Sequence, residues 1–306
     1  MSSLINALPG AVGQGLIWGI MAIGVYITFR ILDVADLTVD GSLATGGAVC
    51  VMLIRGGVDP WLAMLCAVLA GMLAGFVTGM FHTRCGIPAI LAGILTQLSL
   101  YSVNLRIMES KANQAVSVDK YPLLLSQRYV RELSAKNPLL MLAVFTAVLI
   151  GVLYWFFGTE KGNAIRATGA NPNMARAQGI DTGANVVLGL MLSNGLVALS
   201  GALLAQYQGS SDVNMGRGAI VIGLAAVIIG EVAFGKVFRN FGLKLLAVSI
   251  GAIIYYIVLQ MGLNTNDLKL VTALIVAVFL AIPYWKGKMF HQKVQPQGAK
   301  GGNGNG

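Results

Sequence analysis

The sequence is poor in charge. Of 306 residues, 11% are Asp, Glu, Lys or Arg and 56% are hydrophobic, where a soluble domain averages about 25% charged. So little charge does not cover a globular surface, and a soluble fold is excluded. Histidine is nearly absent. His82 and His291 stand alone, which excludes a histidine metal cluster and a His-based proton relay. Cys50, Cys66 and Cys85 lie in or beside apolar runs. An odd, dispersed set is neither a disulfide framework nor a metal site, so the three read as small packing residues. No nucleophile–base pair can be assembled, and the chain does not read as an enzyme. No basic residue precedes the first apolar run, so no signal peptide is expected.

What is abundant is uninterrupted apolar sequence. Nine segments stand out, at 11–29, 37–54, 60–81, 87–105, 138–157, 185–207, 219–234, 245–262 and 270–285. About 20 apolar residues span a bilayer as helix. Uniform hydrophobicity argues against a barrel, whose strands alternate. The expectation is an all-α polytopic membrane protein with about eight or nine transmembrane segments. Segments 37–54 and 219–234 are the weakest. The first opens with Asp40 and is rich in glycine, and the second is short and carries Glu231. Either is open to being a broken or re-entrant element, allowed at membrane depth where protein or a water cavity covers the backbone.

Basic residues orient the chain. With a cytoplasmic C-terminus, Arg84, the basic residues of loops 158–184 and 231–244, and those of the tail fall inside. Arg55, Arg217 and Lys269 fall outside, as does the long loop 106–137. Nine spans put the N-terminus outside, and one re-entrant segment puts it inside. Residues 1–290 are expected to form one transmembrane domain, and 291–306, Gly/Asn-rich, a disordered cytoplasmic tail. The net charge of +9 follows from this inside bias. No basic stripe is interleaved with aromatics, so nucleic acid is not expected as a partner.

Several polar residues interrupt the apolar background. Arg30, Asp33, Asp36 and Asp40 lie between the first two segments, with Thr38, Gly41 and Ser42 beside them. Either this is a solvated loop or, since charge kept at membrane depth faces a cavity or a partner, it lines a pore. Gln97 and Asn104 share one helical face, and Asn194 and Gln206 stand on the sixth segment. They read as interhelical hydrogen bonds or as the lining of a substrate path. Gly71, Gly75 and Gly79 form a small-residue stripe suited to close helix packing. Gly230 to Lys236 has the spacing of a phosphate-binding loop, but Val237 stands where Ser or Thr should hold magnesium and an apolar helix precedes it, so nucleotide binding is dismissed.

The most structured polar stretch runs from Gly162 through Arg166, Gly169, Asn171 and Arg176 to Ile180. Proline is tolerated in a helix's first turn and not in its interior. The expected shape is therefore a turn at Gly169–Asn171 and a short helix from Pro172 to Ala177, with Arg176 in its last turn, where a cation suits the dipole.

Two of these stretches carry a resemblance. Asp36-Leu37-Thr38-Val39-Asp40-Gly41-Ser42 resembles the Asp-Leu-Ser-Val-Gly-Ser signature of the branched-chain amino acid and ribose permease superfamily, with Asp40 as an extra residue. Arg166 through Asn171 and Ala175 to Gly179-Ile180 resembles that family's cytoplasmic loop. Gly24 to Ile27 and Tyr101 to Met108 look closest to a branch presumed to carry tryptophan or tyrosine.

The resemblance implies the permease subunit of an ATP-binding-cassette importer with a type II importer-like fold, in the bacterial inner membrane. It moves a small solute, an amino acid and by that branch an aromatic one, through alternating access at the interface of two permease copies. Implied partners are a second copy, cytosolic ATPase subunits, an extracytoplasmic substrate-binding protein and membrane lipid. ATP and magnesium belong on the ATPase, with no cofactor on this chain. The expected path residues are Asp36, Thr38, Asp40, Ser42, Gln97, Asn104 and Asn194. ATPase coupling is expected from Arg166, Asn171, Arg176, Glu231, Lys236 and Arg239, with neither cytoplasmic loop ranked above the other. The alternative is an ion-coupled secondary transporter or exporter using Asp33, Asp36 or Glu231.

Overall fold

The computed structural model describes residues 2–117, 120–121, 123–126, 137–235, 238, 240–260, 274 and 277. Residues 1–263 form one compact unit. In the second unit, 264–306, residues 274 and 277 are helical. The apolar segment 270–285, the tail, Lys236 and Arg239 otherwise lie outside the described residues.

Helices dominate, as the composition requires. Helix α1 (Ser2–Tyr26) runs into a π-helical turn at Ile27–Ile31. Then come α2 (Val39–Arg55), α3 (Pro60–Thr83), α4 (Ala89–Ile107) and α5 (Pro138–Gly158). Two short helices, α6 (Glu160–Ala170) and α7 (Pro172–Ala177), precede α8 (Thr182–Gln208), α9 (Ala219–Phe234) and α10 (Phe241–Gln260). Among the described residues, six helical stretches are long and apolar enough to cross a membrane: Leu8–Ile31, Pro60–Thr83, Ala89–Ile107, Pro138–Gly158, Thr182–Gln208 and Phe241–Leu259. The two weakest segments form α2, with 17 residues, and α9, with 16, both shorter than those six stretches. Gly230 to Phe234 form the last turn of α9, so the phosphate-loop lookalike is helix where a loop is needed.

Glycine sets the helix spacing. Along α3, a Cβ on Gly71 or Gly75 would strike the α8 backbone at Asn194 or Leu190, and Gly79 faces Val187. Helix α2 is pressed as tightly on α8, with Gly46 against Ala198 and Gly201 against the Leu43 carbonyl. Helices α1, α9 and α10 pack together through Gly15, Gly223, Gly230 and Gly251. Two hydroxyls tie α1 to α8: Ser193 Oγ donates to the Gly24 carbonyl and Ser200 Oγ to that of Ile17, both at 2.8 Å. Outward faces of α3, α4 and α5 carry exposed Leu65, Leu69, Leu98, Val148 and Trp155, as expected where the solvent is lipid.

Two features depart from the sequence reading. A two-stranded antiparallel ribbon pairs β1 (Asn113–Ala115) with β2 (Ser210–Asp212). The expected turn at Gly169–Asn171 is also absent in that form, because α6 continues through Gly169 to Ala170 and only Asn171 is extended. Helix α6 starts at a Thr159 cap, whose hydroxyl accepts from Gly162 N–H. It lies so close to the end of α1 that Gly169 faces the Ile31 carbonyl with no room for a side chain. Helix α7 runs from Pro172 to Ala177 as expected, capped by Asn171 Oδ1 on the N–H groups of Asn173 and Met174.

Candidate functional site

The break between α1 and α2 anchors a buried polar network. Asp33 takes a left-handed conformation, φ 55°, and residues 33–36 are non-helical. Asp33 and Ala35 are exposed, whereas Asp36 and Thr38 are buried. Asp36 Oδ1 accepts the Thr38 N–H at 2.9 Å, and Oδ2 accepts from Asn194 Nδ2 at 2.7 Å. Asn194 Oδ1 in turn accepts from Ser42 Oγ at 2.6 Å. The Thr38 hydroxyl lies 2.7 Å from that of Thr78, which donates to Thr96 at 2.9 Å. Asp36, Thr38, Ser42 and Asn194 thus form one buried, satisfied network joining α2 to α3, α4 and α8.

The other three expected path residues meet elsewhere. Asp40, Gln97 and Asn104 line a cavity of about 210 Å³ with Tyr101, Asn214 and Arg217. Asp40 Oδ1 accepts the N–H of Ile220 at 3.0 Å and Oδ2 that of Gly218 at 2.9 Å, so its carboxylate holds the start of α9. Arg217, Asn214 and Tyr101 are exposed. Asn104 is 1% exposed, and neither Oδ1 nor Nδ2 has a hydrogen-bond partner. A buried amide left so costs about 1–3 kcal/mol per unmade bond. Tyr101 was legible, since 97, 101 and 104 share one face of α4. Asn214 and Arg217 were not, because they arrive on the loop after β2. Among the described residues no three His, Cys, Asp or Glu come together.

At the opposite end of α8, α6 and α7 carry the expected coupling residues. Asn171, Pro172, Asn173 and Met174 are exposed. Arg176 is exposed but donates through Nε to Thr182 Oγ1 at 2.9 Å, which fastens α7 to α8. Arg166 stacks over Phe241 at 5.1 Å. Glu231 takes both arms of Arg30, at 2.8 and 2.6 Å.

A model of the branched-chain amino acid transport system permease component matches residues 8–283. The chain belongs to this family. The permease is 39% identical over 285 residues to a tyrosine transport system permease protein of Clostridioides difficile (strain R20291), covering 92% of this chain and 91% of that one. It is 25% identical over 260 residues to the ribose import permease protein of Escherichia coli (strain K12), 80% of each. A solved chain of a metal-chelate type ABC transporter in an inward-facing conformation shares its fold, with a TM-score of 0.50 at 14% identity over 91% of this chain and 85% of that one. The permease is a transport subunit and not an enzyme.

Proposed function

We propose that this permease imports a zwitterionic amino acid, of the aromatic class, through a path completed between two copies in a bacterial cytoplasmic membrane. The observation that carries the reading is the cavity beside α4. It combines an orphaned amide at Asn104, a guanidinium at Arg217, a phenol at Tyr101 and amides at Gln97 and Asn214. A helix facing only lipid would not carry such a set, because polar groups in hydrocarbon are costly unless satisfied. The substrate class is supported by the name of the tyrosine permease relative. The network around Asp36 and Asn194 positions α2 behind this lining.

The energy source is proposed to lie on other chains. Exposed α6 and α7 dock cytosolic ATPases, which hold ATP and magnesium, while the ribbon end receives substrate from a binding protein. Uptake into proteoliposomes holding the permease and its ATPase, with the binding protein outside, tests this. Tyrosine, tryptophan, leucine and ribose should be compared with ATP inside. ATP-dependent uptake of an aromatic amino acid is expected. Uptake of ribose alone, or uptake driven by an ion gradient without ATP, would overturn it.

A further inference from the structure

We propose that a second cavity, at the α6 end of the bundle, holds the phosphate of an anionic phospholipid headgroup. The cavity, about 230 Å³, lies between the end of α1, α6 and the start of α10, and Arg30, Arg166 and Lys244 converge on it. Their charges are not equally spent. Arg30 is paired with Glu231, the ion pair formed among the described residues. Arg166 lies over the Phe241 ring, a contact that leaves its N–H edge free for an oxyanion. Lys244 is exposed. Two positive charges are left facing one hollow.

The surroundings point to lipid. Tyr154 and Trp155, 57% and 71% exposed, stand in the last turns of α5, and the Tyr154 ring lies against Gly242, next to Phe241 of the cavity lining. Exposed aromatic rings of this kind mark the headgroup level of a bilayer. Val148 and Val152 of α5 and Leu243 and Leu246 of α10 are also exposed, apolar surface for acyl chains on the helix that lines the hollow and on its neighbour. Basic pockets between membrane helices on the cytoplasmic side suit anionic headgroups. An acidic segment of the ATPase would match the charge but leave the apolar surface without a purpose.

Native mass spectrometry of the full chain tests this. Phosphatidylglycerol and phosphatidylcholine are titrated in parallel, with and without inorganic phosphate. Phosphatidylglycerol is expected to be retained over phosphatidylcholine. Arg166→Ala with Lys244→Ala is expected to weaken retention about 25-fold, the product of roughly fivefold for each basic group. Lys244→Ala alone, at an exposed position that folding does not need, should show its own fivefold loss. Arg166→Lys with Lys244→Arg should keep retention. Inorganic phosphate that displaces the lipid at equal concentration would mean a free-anion site and overturn the proposal. So would unchanged lipid retention in Lys244→Ala, or unchanged retention with loss of ATPase co-purification in the double variant.

Discussion

The carboxylate of Asp40 caps helix α9 across 180 residues, its Oδ1 accepting the backbone N–H of Ile220 at 3.0 Å. Helix α9 has no side-chain cap of its own, since Gly218 precedes it with φ 85°. The N-terminus of α2 therefore sets where α9 begins, and both sit at the edge of the cavity that Asp40 lines. Asp40 supplies an acceptor for these backbone N–H groups that no neighbour in sequence provides.

Removing that acceptor should loosen α9. Asp40→Ala is expected to cost about 1–2 kcal/mol, the usual range for a lost N-cap, and Asp40→Asn, which keeps one acceptor oxygen, about half as much. Thermal unfolding in detergent should order the midpoints wild type, Asp40→Asn, Asp40→Ala. Equal midpoints for all three would show that the cap contributes nothing.

Asn194 is held from both sides, donating to Asp36 and accepting from Ser42. Asn194→Ala should destabilise by about 1–2 kcal/mol, near the upper end for interhelical hydrogen bonds. Asn194→Asp should be worse despite its matching size, because it sets a second carboxylate against Asp36. Unfolding midpoints and the yield of monodisperse protein measure both. An Asn194→Asp variant as stable as wild type would contradict the network.

Close helix approach gives a sharp contrast among glycines. Gly75→Ala and Gly201→Ala each put a methyl into the backbone of a neighbouring helix, whereas Gly151 on exposed α5 has nothing within 4 Å. Size-exclusion profiles should show the first two aggregated or lost and Gly151→Ala unchanged or improved, since alanine gains up to about 1 kcal/mol over glycine in a helix.

Stability and transport should separate at Asn104. Its amide makes no hydrogen bond, so Asn104→Leu breaks none and should leave the unfolding midpoint unchanged or higher. The same change should cut reconstituted uptake at least about tenfold, as expected when about 1.4 kcal/mol of substrate contact is removed. A variant that lowers stability and spares uptake would make Asn104 a packing residue.

Coupling should fail at α7 without loss of the fold. Met174 is 46% exposed on a helix of six residues, so Met174→Glu alters a surface and not a core. Substrate-stimulated ATP hydrolysis by the reconstituted complex is expected to fall to its unstimulated rate, while binding-protein docking persists. Normal stimulation would shift the contact towards the segment that holds Lys236 and Arg239.

Much of this was legible because hydrocarbon imposes a simple rule. Eight of the nine apolar runs correspond to α1 to α5 and α8 to α10, and the two runs with charge or short length are the short α2 and α9. The Gly71–Gly75–Gly79 stripe marked the α3 face that meets α8. Helix α6 escaped notice because Gly162, Thr168 and Gly169 are weak helix formers. They form helix here because both glycines allow contact with the backbones of Phe157 and Ile31. Gln97 and Asn104 were found together by their spacing. Arg217 could not be, since its position depends on Asp40, which accepts the N–H of the adjacent Gly218 from 178 residues away.

Helix α9 also has a consequence for the bilayer. Its 16 residues rise about 24 Å, some 6 Å less than the roughly 30 Å hydrocarbon slab. The chain that leads into it, Gly209 to Gly218, is non-helical and sets Ser211 and Met215 against Gly47, halfway down α2. A wall of that helical length is thinner than the lipid around it, so the membrane voltage would fall over a shorter distance there and a charged solute would have less low-dielectric path to cross.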